Sequence, residues 1–200
     1  MSKKMTLCTL VGTLITFLAL GAIATARTRQ TAFPNIRIKN FGQMSERFYR
    51  GAQPKEEDYQ DLKNLGVNTI IDLKEDPEPY EKPAAEALGI RYINIPMVDK
   101  GYPPDSQIEQ FLKIANDPAT GVFYVHCAGG RHRTGIMGAV YRFTVDHWNY
   151  DQVYSEMKDY DFYSSWGHGD QKKYVQNYWA NLQAKQTGAS AAVATSEGHN

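Results

Sequence analysis

The sequence predicts an α/β fold in which helices flank a mostly parallel central sheet. Short apolar strands alternate with helical segments along most of the chain, and this alternation is typical of parallel sheets covered by helices. A glycine-rich loop lies between the apolar strand at 121–125 and the buried helix at 136–145. Because open α/β sheets bind ligands beyond the carboxyl ends of their strands, this loop is the first candidate for a functional site.

The amino-terminal part of the domain contains two predicted strands with a helix between them. The segment 41–50 ends Arg-Phe-Tyr-Arg, which favours a strand, and Gly-Ala-Gln-Pro follows as a turn. A helix is predicted over 55–65 because apolar residues spaced three apart form one face and a glycine follows it. Residues 67–73 are β-branched and apolar, so they are predicted to form a strand.

The rest of the domain repeats this alternation. Glycines and prolines separate its apolar segments, because glycine ends helices and proline interrupts both helices and strands. The further predicted elements are a helix over 84–88, a strand over 91–95, a helix over 107–115, the strand at 121–125 and helices over 136–145, 150–160 and 171–182.

Residues 1–26 are predicted to be a secretory signal peptide. Two lysines precede an apolar run that ends Ala-Thr-Ala, and this order is typical of a cleaved export signal. About 20 apolar residues can also span a bilayer, so an uncleaved membrane anchor over 5–26 is the alternative. The expected location is therefore periplasmic or secreted, or membrane-anchored if the segment stays attached.

The remaining chain is predicted to contain a linker at 27–35, one folded domain at 36–183 and a small, polar, disordered tail at 184–200. The 22 basic and 22 acidic residues balance, whereas a nucleic-acid partner would normally require a basic excess. Cys8 lies in the predicted signal, so the mature chain keeps only Cys127 and forms no internal disulfide. No metal or other cofactor is expected, because no cysteine or histidine cluster has metal-ligand spacing. The sequence gives no oligomeric state.

The glycine-rich loop places a cysteine just before the first turn of a helix. Unpaired N–H groups and the positive end of the helix dipole at such a position bind a phosphate dianion. They also favour thiolate over thiol, so Cys127 is predicted to be a nucleophile. Five residues separate Cys127 from Arg133, so the guanidinium is expected to face the sulfur and bind two phosphate oxygens.

The neighbouring loop residues are predicted to support this chemistry. His126 is expected to fix the loop through backbone hydrogen bonds, and the Thr134 hydroxyl is expected to donate to the thiolate. The predicted phosphate-binding positions are Ala128, Gly129, Gly130, Arg131, His132 and Arg133.

The pattern H-C-x-x-G-x-x-R-T-G at 126–135 resembles the signature loop of the cysteine-dependent protein tyrosine and dual-specificity phosphatases. Its G-R-H-R-T-G ending is most similar to the G-K-H-R-T-G of the plant and fungal atypical dual-specificity phosphatases. The earlier segments R-F-Y-R-G-A-Q-P, N-T-I-I-D-L and Y-I-N-I-P-M resemble bacterial members. The resemblance implies a metal-independent hydrolase that removes phosphate groups through a phosphocysteine intermediate.

The resemblance also implies an aspartate that protonates the leaving group, on a loop upstream of the cysteine. Asp99 lies 28 positions before Cys127 in a loop rich in glycine and proline. Asp105 is the rival, although it also suits the amino-terminal cap of the following helix. A third possibility is that neither residue acts as the acid, because the atypical group often lacks a clear aspartate here.

The substrate class stays open at this level between inositol polyphosphates and phosphoproteins. Three basic side chains, Arg131, His132 and Arg133, exceed what one phosphate monoester needs, which favours the polyphosphates slightly. The aromatic residues that could rim the site are Tyr160, Phe162, Tyr163 and Trp166, but aromatic residues more often form core. His147 and His168 have no metal-ligand spacing and are interpreted as structural. The alternatives are a non-catalytic phosphate-binding module of the same fold and a rhodanese-type sulfurtransferase, which Arg133 and Thr134 disfavour.

Overall fold

A five-stranded sheet organises the unit of the computed structural model that begins at Ile38. Its strands are β1 (Gly42–Gln43), β2 (Phe48–Ala52), β3 (Val67–Asp72), β4 (Arg91–Asn94) and β5 (Val122–Cys127). Their spatial order is β1-β2-β5-β3-β4, in which β1 is antiparallel to β2 and the other neighbours are parallel. The mostly parallel sheet predicted from the sequence is confirmed.

The structure describes residues 33–197, with side chains as far as residue 187. Residues 33–37 belong to a separate unit, in which the Ile36 N–H donates to the Phe33 carbonyl. The predicted signal peptide and most of the predicted linker lie outside the described residues. Within the described part of the chain, no helix has both the length and the apolar character needed to cross a membrane.

Six α-helices flank the sheet in the described residues. They are α1 (Asp58–Asn64), α2 (Glu81–Ala87), α3 (Asp105–Asn116), α4 (His132–Thr144), α5 (Tyr150–Asp159) and α6 (Gly169–Glu197). Helix α4 is buried from His132 to Phe143, and its apolar side chains belong to one core cluster with those of α3, α5 and the start of α6. The predicted α/β class, with helices around the sheet, is therefore confirmed.

The central strand β5 sends alternate side chains to opposite faces of the sheet. Phe123, Val125 and Cys127 belong to the core cluster that includes α4. Tyr124 and His126 lie on the other face, where their rings stack with centroids 5.7 Å apart. One strand thus delivers the cysteine to one face and its neighbouring histidine to the opposite face.

Two elements differ from their predicted bounds. The strand predicted at 47–50 is β2, which continues to Ala52, and β1 precedes it in a hairpin, in which the Met44 N–H donates to the Phe48 carbonyl. Helix α6 continues to Glu197 instead of ending at Leu182, so most of the predicted disordered tail is helical. That segment is rich in alanine, the residue with the highest helix propensity, and polarity alone did not indicate this.

Candidate active site

Cys127 is the last residue of β5 and lies at the wall of a cavity of about 150 Å³. Its side chain is 3% exposed. Residues 128–131, called the cysteine loop below, connect it to the first residue of α4. The cavity is lined by Asp99, Cys127, Ala128, Gly129, Arg131, His132, Arg133, Tyr163 and His168. Seven of the predicted site residues therefore meet in one cavity.

The carbonyl groups of the cysteine loop are hydrogen-bonded away from the cavity. The Asn40 side-chain amide donates to the Gly129 carbonyl at 2.8 Å, and the buried Arg50 guanidinium donates to the Gly130 carbonyl at 2.7 Å. Because the C=O and N–H of one peptide unit point in opposite directions, these bonds turn the Gly130 and Arg131 N–H groups towards the other side of the loop. The loop is thus arranged to present N–H donors to an anion.

Gly130 is required for this close packing. Its φ angle is +65°, in the left-handed region that favours glycine. A Cβ atom at this position would lie 2.4 Å from the carbonyl carbon of Gly51 and 2.5 Å from the nitrogen of Ala52. Neither backbone atom can move without disturbing β2, so the loop lies directly against that strand.

Arg133 extends from the first turn of α4 into the same cavity and is 8% exposed. Its Nη1 donates to the Met97 carbonyl at 3.3 Å, and its Nη2 lies 3.2 Å from the Asp99 carboxylate. Its buried Nε has no hydrogen-bond partner within the described residues. The guanidinium is therefore held in place by the loop that carries Asp99.

The structure separates the two aspartates that the sequence left as rivals. Asp99 lies at the cavity, where its side chain is 62% exposed and pairs with Arg133. Asp105 is the first residue of α3 and lines a different cavity, between α3 and α6, together with Ile108 and Tyr178. Proximity to Cys127 thus favours Asp99, whose role as the acid stays a prediction.

The sequence matches a family model described as a DSP-PTPase phosphatase fused to NAD+ kinase, over residues 30–177. The chain belongs to this phosphatase family. It is a cysteine-dependent phosphatase of the dual-specificity type, as the loop pattern predicted.

Individual phosphatases are also similar to this chain in sequence or in fold. Inositol diphosphatase DSP3 of Arabidopsis thaliana is 30% identical over 122 residues, which are 58% of this chain and 60% of DSP3. Dual specificity protein phosphatase TpbA of Pseudomonas aeruginosa is 27% identical over 145 residues, 70% of this chain and 63% of TpbA. The catalytic domain of the PP-IP phosphatase SIW14 of Saccharomyces cerevisiae superimposes with a TM-score of 0.63 at 21% identity, covering 77% of this chain and 94% of that domain.

Three predicted site residues of the phosphatase lie outside the cavity lining: Gly130, Thr134 and His126. The Thr134 hydroxyl is buried without a hydrogen-bond partner in the described residues, so its predicted bond to the Cys127 sulfur is not formed here. His126 is fully buried on the opposite face of the sheet, because successive strand residues alternate. Its carbonyl accepts from the Leu73 N–H at 2.9 Å, so its backbone supports the strand end from which the cysteine loop begins.

A buried ionic network surrounds the His126 ring. Its Nε2 lies 3.2 Å from a Glu81 oxygen and its Nδ1 lies 3.7 Å from an Asp72 oxygen. The Tyr59 hydroxyl donates to Glu81 at 3.0 Å, and the Tyr92 hydroxyl donates to Asp72 at 2.7 Å. Burial alone would raise the pKa of Glu81, but His126 and Tyr59 outweigh it and hold this pKa below its usual value.

The same three side chains also meet a distance criterion for a metal site. Ligand atoms of Asp72, Glu81 and His126 all lie within 4.8 Å of one another. The two imidazole nitrogens, however, contact different carboxylates, and each carboxylate already accepts a tyrosine hydroxyl. The arrangement is that of a histidine bridging two carboxylates.

Sequence reasoning missed His168, which contacts His132 at the cavity. The two rings stack in parallel with centroids 3.6 Å apart, and His132 Nε2 lies 3.1 Å from the Tyr163 carbonyl. Burial, together with His168, lowers the pKa of His132 to about 4, so this ring is neutral at pH 7. Arg131 and Arg133 therefore supply the positive charge, and only two of the three predicted basic side chains carry it. No sequence motif links His168 to His132, 36 positions earlier.

Proposed function

We propose that this phosphatase hydrolyses phosphate monoesters through a phosphocysteine intermediate on Cys127. The observation that carries the proposal is the meeting of Cys127, Arg133 and Asp99 at one cavity. These residues supply a nucleophile, a cation for the transferred phosphoryl group and an acid for the leaving group. Such a division of roles is the common solution to covalent phosphoryl transfer.

In the first step the Cys127 thiolate attacks phosphorus, an S–P bond forms and the P–O bond to the leaving group breaks. The N–H groups of the cysteine loop and the Arg133 guanidinium stabilise the equatorial oxygens. Asp99 gives its proton to the departing oxygen. In the second step water attacks phosphorus, Asp99 takes back a proton, and the S–P bond breaks to release phosphate and the thiolate.

The ion pair between Asp99 and Arg133 supports this assignment of the acid. A bound phosphate dianion would compete with the Asp99 carboxylate for the guanidinium, since both are bidentate partners of arginine. Substrate binding would thus release the Asp99 side chain from Arg133 at the cavity from which the leaving group departs.

The substrates that the cavity suits best are inositol polyphosphates. Its volume of about 150 Å³ is below the roughly 300–1,000 Å³ usual for sites that enclose a whole small molecule. The cavity therefore holds one phosphate group, and the rest of the substrate contacts the rim. Arg131 adds a second guanidinium there, which suits a substrate carrying further phosphates, and the relative DSP3 is an inositol diphosphatase.

A phosphotyrosine protein is the second candidate. Tyr163 lines the cavity and is 37% exposed, and Trp166, three residues later, is 84% exposed. Exposed aromatic rings of this kind suit contact with a peptide. The relative TpbA is named a dual specificity protein phosphatase.

Phosphate release from inositol hexakisphosphate and from a phosphotyrosine peptide separates these two candidates. Residues 27–200 would be compared with Cys127→Ser and Arg131→Ala variants. If Arg131→Ala lowers the rate of phosphate release at least about 10-fold more for the inositol substrate than for the peptide, equivalent to about 1.4 kcal/mol, the result supports inositol polyphosphates as substrates. Equal losses on both substrates, or faster turnover of the peptide, would favour the protein substrate.

We also propose that residues 1–26 direct export, on the strength of the basic, apolar and small-residue pattern. Mass spectrometry of the protein from the native host tests this directly. A mature chain beginning at Arg27 supports a cleaved signal. A full-length chain in the membrane fraction would instead support the anchor.

A further inference from the structure

Gln171 connects the carboxyl-terminal helix to the loop that carries Asp99. It is the third residue of α6 and is 1% exposed. Its Nε2 donates to the Asp99 backbone carbonyl at 3.0 Å, and its Oε1 lies 2.7 Å from His168 Nδ1. A buried glutamine with both ends of its amide occupied is fixed in one orientation.

The orientation of this amide follows from its partners. The Asp99 carbonyl can only accept a hydrogen bond, so the amide NH₂ must face it and the amide oxygen must face His168. His168 Nδ1 therefore carries a hydrogen. The His168 ring stacks on His132, in the first turn of α4, at 3.6 Å. A continuous line of contacts thus runs from the helix that follows Cys127 to the backbone of Asp99.

The loop around Asp99 has few other restraints. Residues 98–103 take part in no backbone–backbone hydrogen bond within the described part of the chain. Arg133 pairs with the Asp99 side chain and donates to the Met97 carbonyl, and the Gln107 side chain donates to the Pro96 carbonyl, so neither of them binds the Asp99 backbone. The bond from Gln171 is therefore the hydrogen bond that fixes the backbone at Asp99 itself.

We infer that Gln171 is a positioning residue that holds Asp99 at the cavity for proton transfer. This inference rests on the proposed role of Asp99 as the general acid. The Gln171 side chain bonds to His168 and to the Asp99 carbonyl and, among the described residues, forms no hydrogen bond with Cys127 or the cysteine loop, so it acts on the acid and not on the nucleophile. Sequence reasoning had placed it only at the start of a scaffold helix.

Removing the hydrogen bond from Gln171 to the Asp99 carbonyl is expected to have a selective effect on catalysis. A misplaced acid slows release of leaving groups that need a proton, such as phenolate and alkoxide. It has little effect on p-nitrophenolate, which leaves well without protonation. A merely structural role would lower the rates for all substrates together.

The test uses Gln171→Met, which removes both hydrogen bonds, and Gln171→Glu, which can still accept from His168 but as a carboxylate cannot donate to the Asp99 carbonyl. Gln176→Met, at an exposed position of the same helix, is the matched control. The measurement is kcat for a series of aryl phosphates with increasing leaving-group pKa, beside Asp99→Asn and thermal unfolding of each variant.

Both Gln171 variants are expected to lose about 10- to 100-fold in kcat for phenyl phosphate, since small misplacements of a catalytic group cost rates of this order. Their loss for p-nitrophenyl phosphate is expected to stay within about 3-fold, and Gln176→Met is expected to match the wild type. Equal losses on all substrates, or no loss in Gln171→Glu, would overturn the inference. An Asp99→Asn variant without leaving-group dependence would instead overturn the proposed acid, and this inference with it.

Discussion

The cysteine loop and the loop that carries Asp99 meet at one cavity but are built in opposite ways. The cysteine loop lies against β2, with its Gly129 and Gly130 carbonyls hydrogen-bonded to Asn40 and Arg50. The aspartate loop, residues 96–104, is largely exposed and is fixed by side chains from α3, α4 and α6. A site that must hold phosphate in one geometry needs a tightly packed loop such as the cysteine loop, since preorganised donors cost no reorganisation during reaction. A residue that must approach and leave a substrate suits an exposed loop such as the aspartate loop.

The largest effect should come from removing the nucleophile, Cys127, which precedes the cysteine loop. Cys127→Ser is expected to abolish turnover, because the hydroxyl is a far weaker nucleophile than a thiolate. Binding of inorganic phosphate should persist, since the N–H donors and Arg133 are unchanged. Steady-state assays and calorimetric titration with phosphate check the two halves of this prediction. Loss of phosphate binding would mean that the sulfur is part of the binding site itself.

A second substitution tests the rigid packing of the same loop. Gly130→Ala places a Cβ atom 2.4 Å from the backbone of Gly51 and demands a positive φ angle, which costs an L-residue about 1–2 kcal/mol even without a clash. Activity should fall by at least about 10²-fold because the displaced N–H donors no longer bind the transition state. Unlike Cys127→Ser, this variant should also lose phosphate binding.

Gly129→Ala is the matched control for that substitution. The atoms nearest to its Cβ atom would be those of the Arg131 side chain, at 3.8 Å, which is ordinary van der Waals contact. Activity and phosphate binding are expected to stay within a few-fold of the wild type. An equal loss in both variants would show that any side chain in this loop is harmful and that contact with β2 is not the reason.

The face of β5 opposite Cys127 should affect stability more than chemistry. Glu81→Gln removes the carboxylate charge that lies 3.2 Å from the His126 ring and accepts from the Tyr59 hydroxyl, and weakening a buried hydrogen bond to a charged group costs about 1–3 kcal/mol. Because folding lowers the pKa of Glu81, this stabilisation is present above its unfolded pKa of about 4.3 and is lost as the pH falls through the lower folded value.

Urea unfolding at pH 7 and at acid pH measures this difference. Glu86→Gln, at an exposed position of the same helix, is the control and should change the free energy of unfolding by less than about 1 kcal/mol. A Glu81→Gln effect that does not shrink at acid pH would contradict the ionic account of the network.

The smallest expected effect concerns the histidine stack beside the aspartate loop. Burial and then His168 lower the pKa of His132 to about 4, so His132 should remain neutral at pH 5. Replacing His168 by asparagine removes one of these two causes, and the midpoint of the His132 titration should rise towards about 6.5. An NMR titration of the imidazole resonances measures the midpoint. An unchanged midpoint would mean that burial alone accounts for the low pKa.

The difference between the two loops also explains what the sequence could predict. The cysteine loop is local in sequence, so the spacing of Cys127 and Arg133 and the strand before them predicted both the site and the fold class. The restraints on Asp99 come from Arg133 and Gln171, which lie 34 and 72 positions away. No sequence spacing records contacts of that kind. For the same reason Asp105 could not be separated from Asp99 before their positions in the fold were known.

His126 shows a different limit. The sequence predicted that it fixes the loop through backbone hydrogen bonds and indicated no role for its ring. Strand alternation turns this ring to the far side of the sheet, where Glu81 and Asp72 contact it. The alternation itself was predictable from the sequence. The partners were not, because they come from α2 and β3, whose packing on that face depends on the folded sheet.

The most direct test of the account compares Asp99→Asn with Asp105→Asn across the same aryl phosphate series. The account predicts that Asp99→Asn loses about 10²- to 10⁴-fold in kcat for phenyl phosphate and much less for p-nitrophenyl phosphate, as expected for loss of general acid catalysis. Asp105→Asn, in the separate cavity beside α6, should behave as the wild type throughout. A leaving-group effect that appears in Asp105→Asn and is absent from Asp99→Asn would contradict the proposed mechanism.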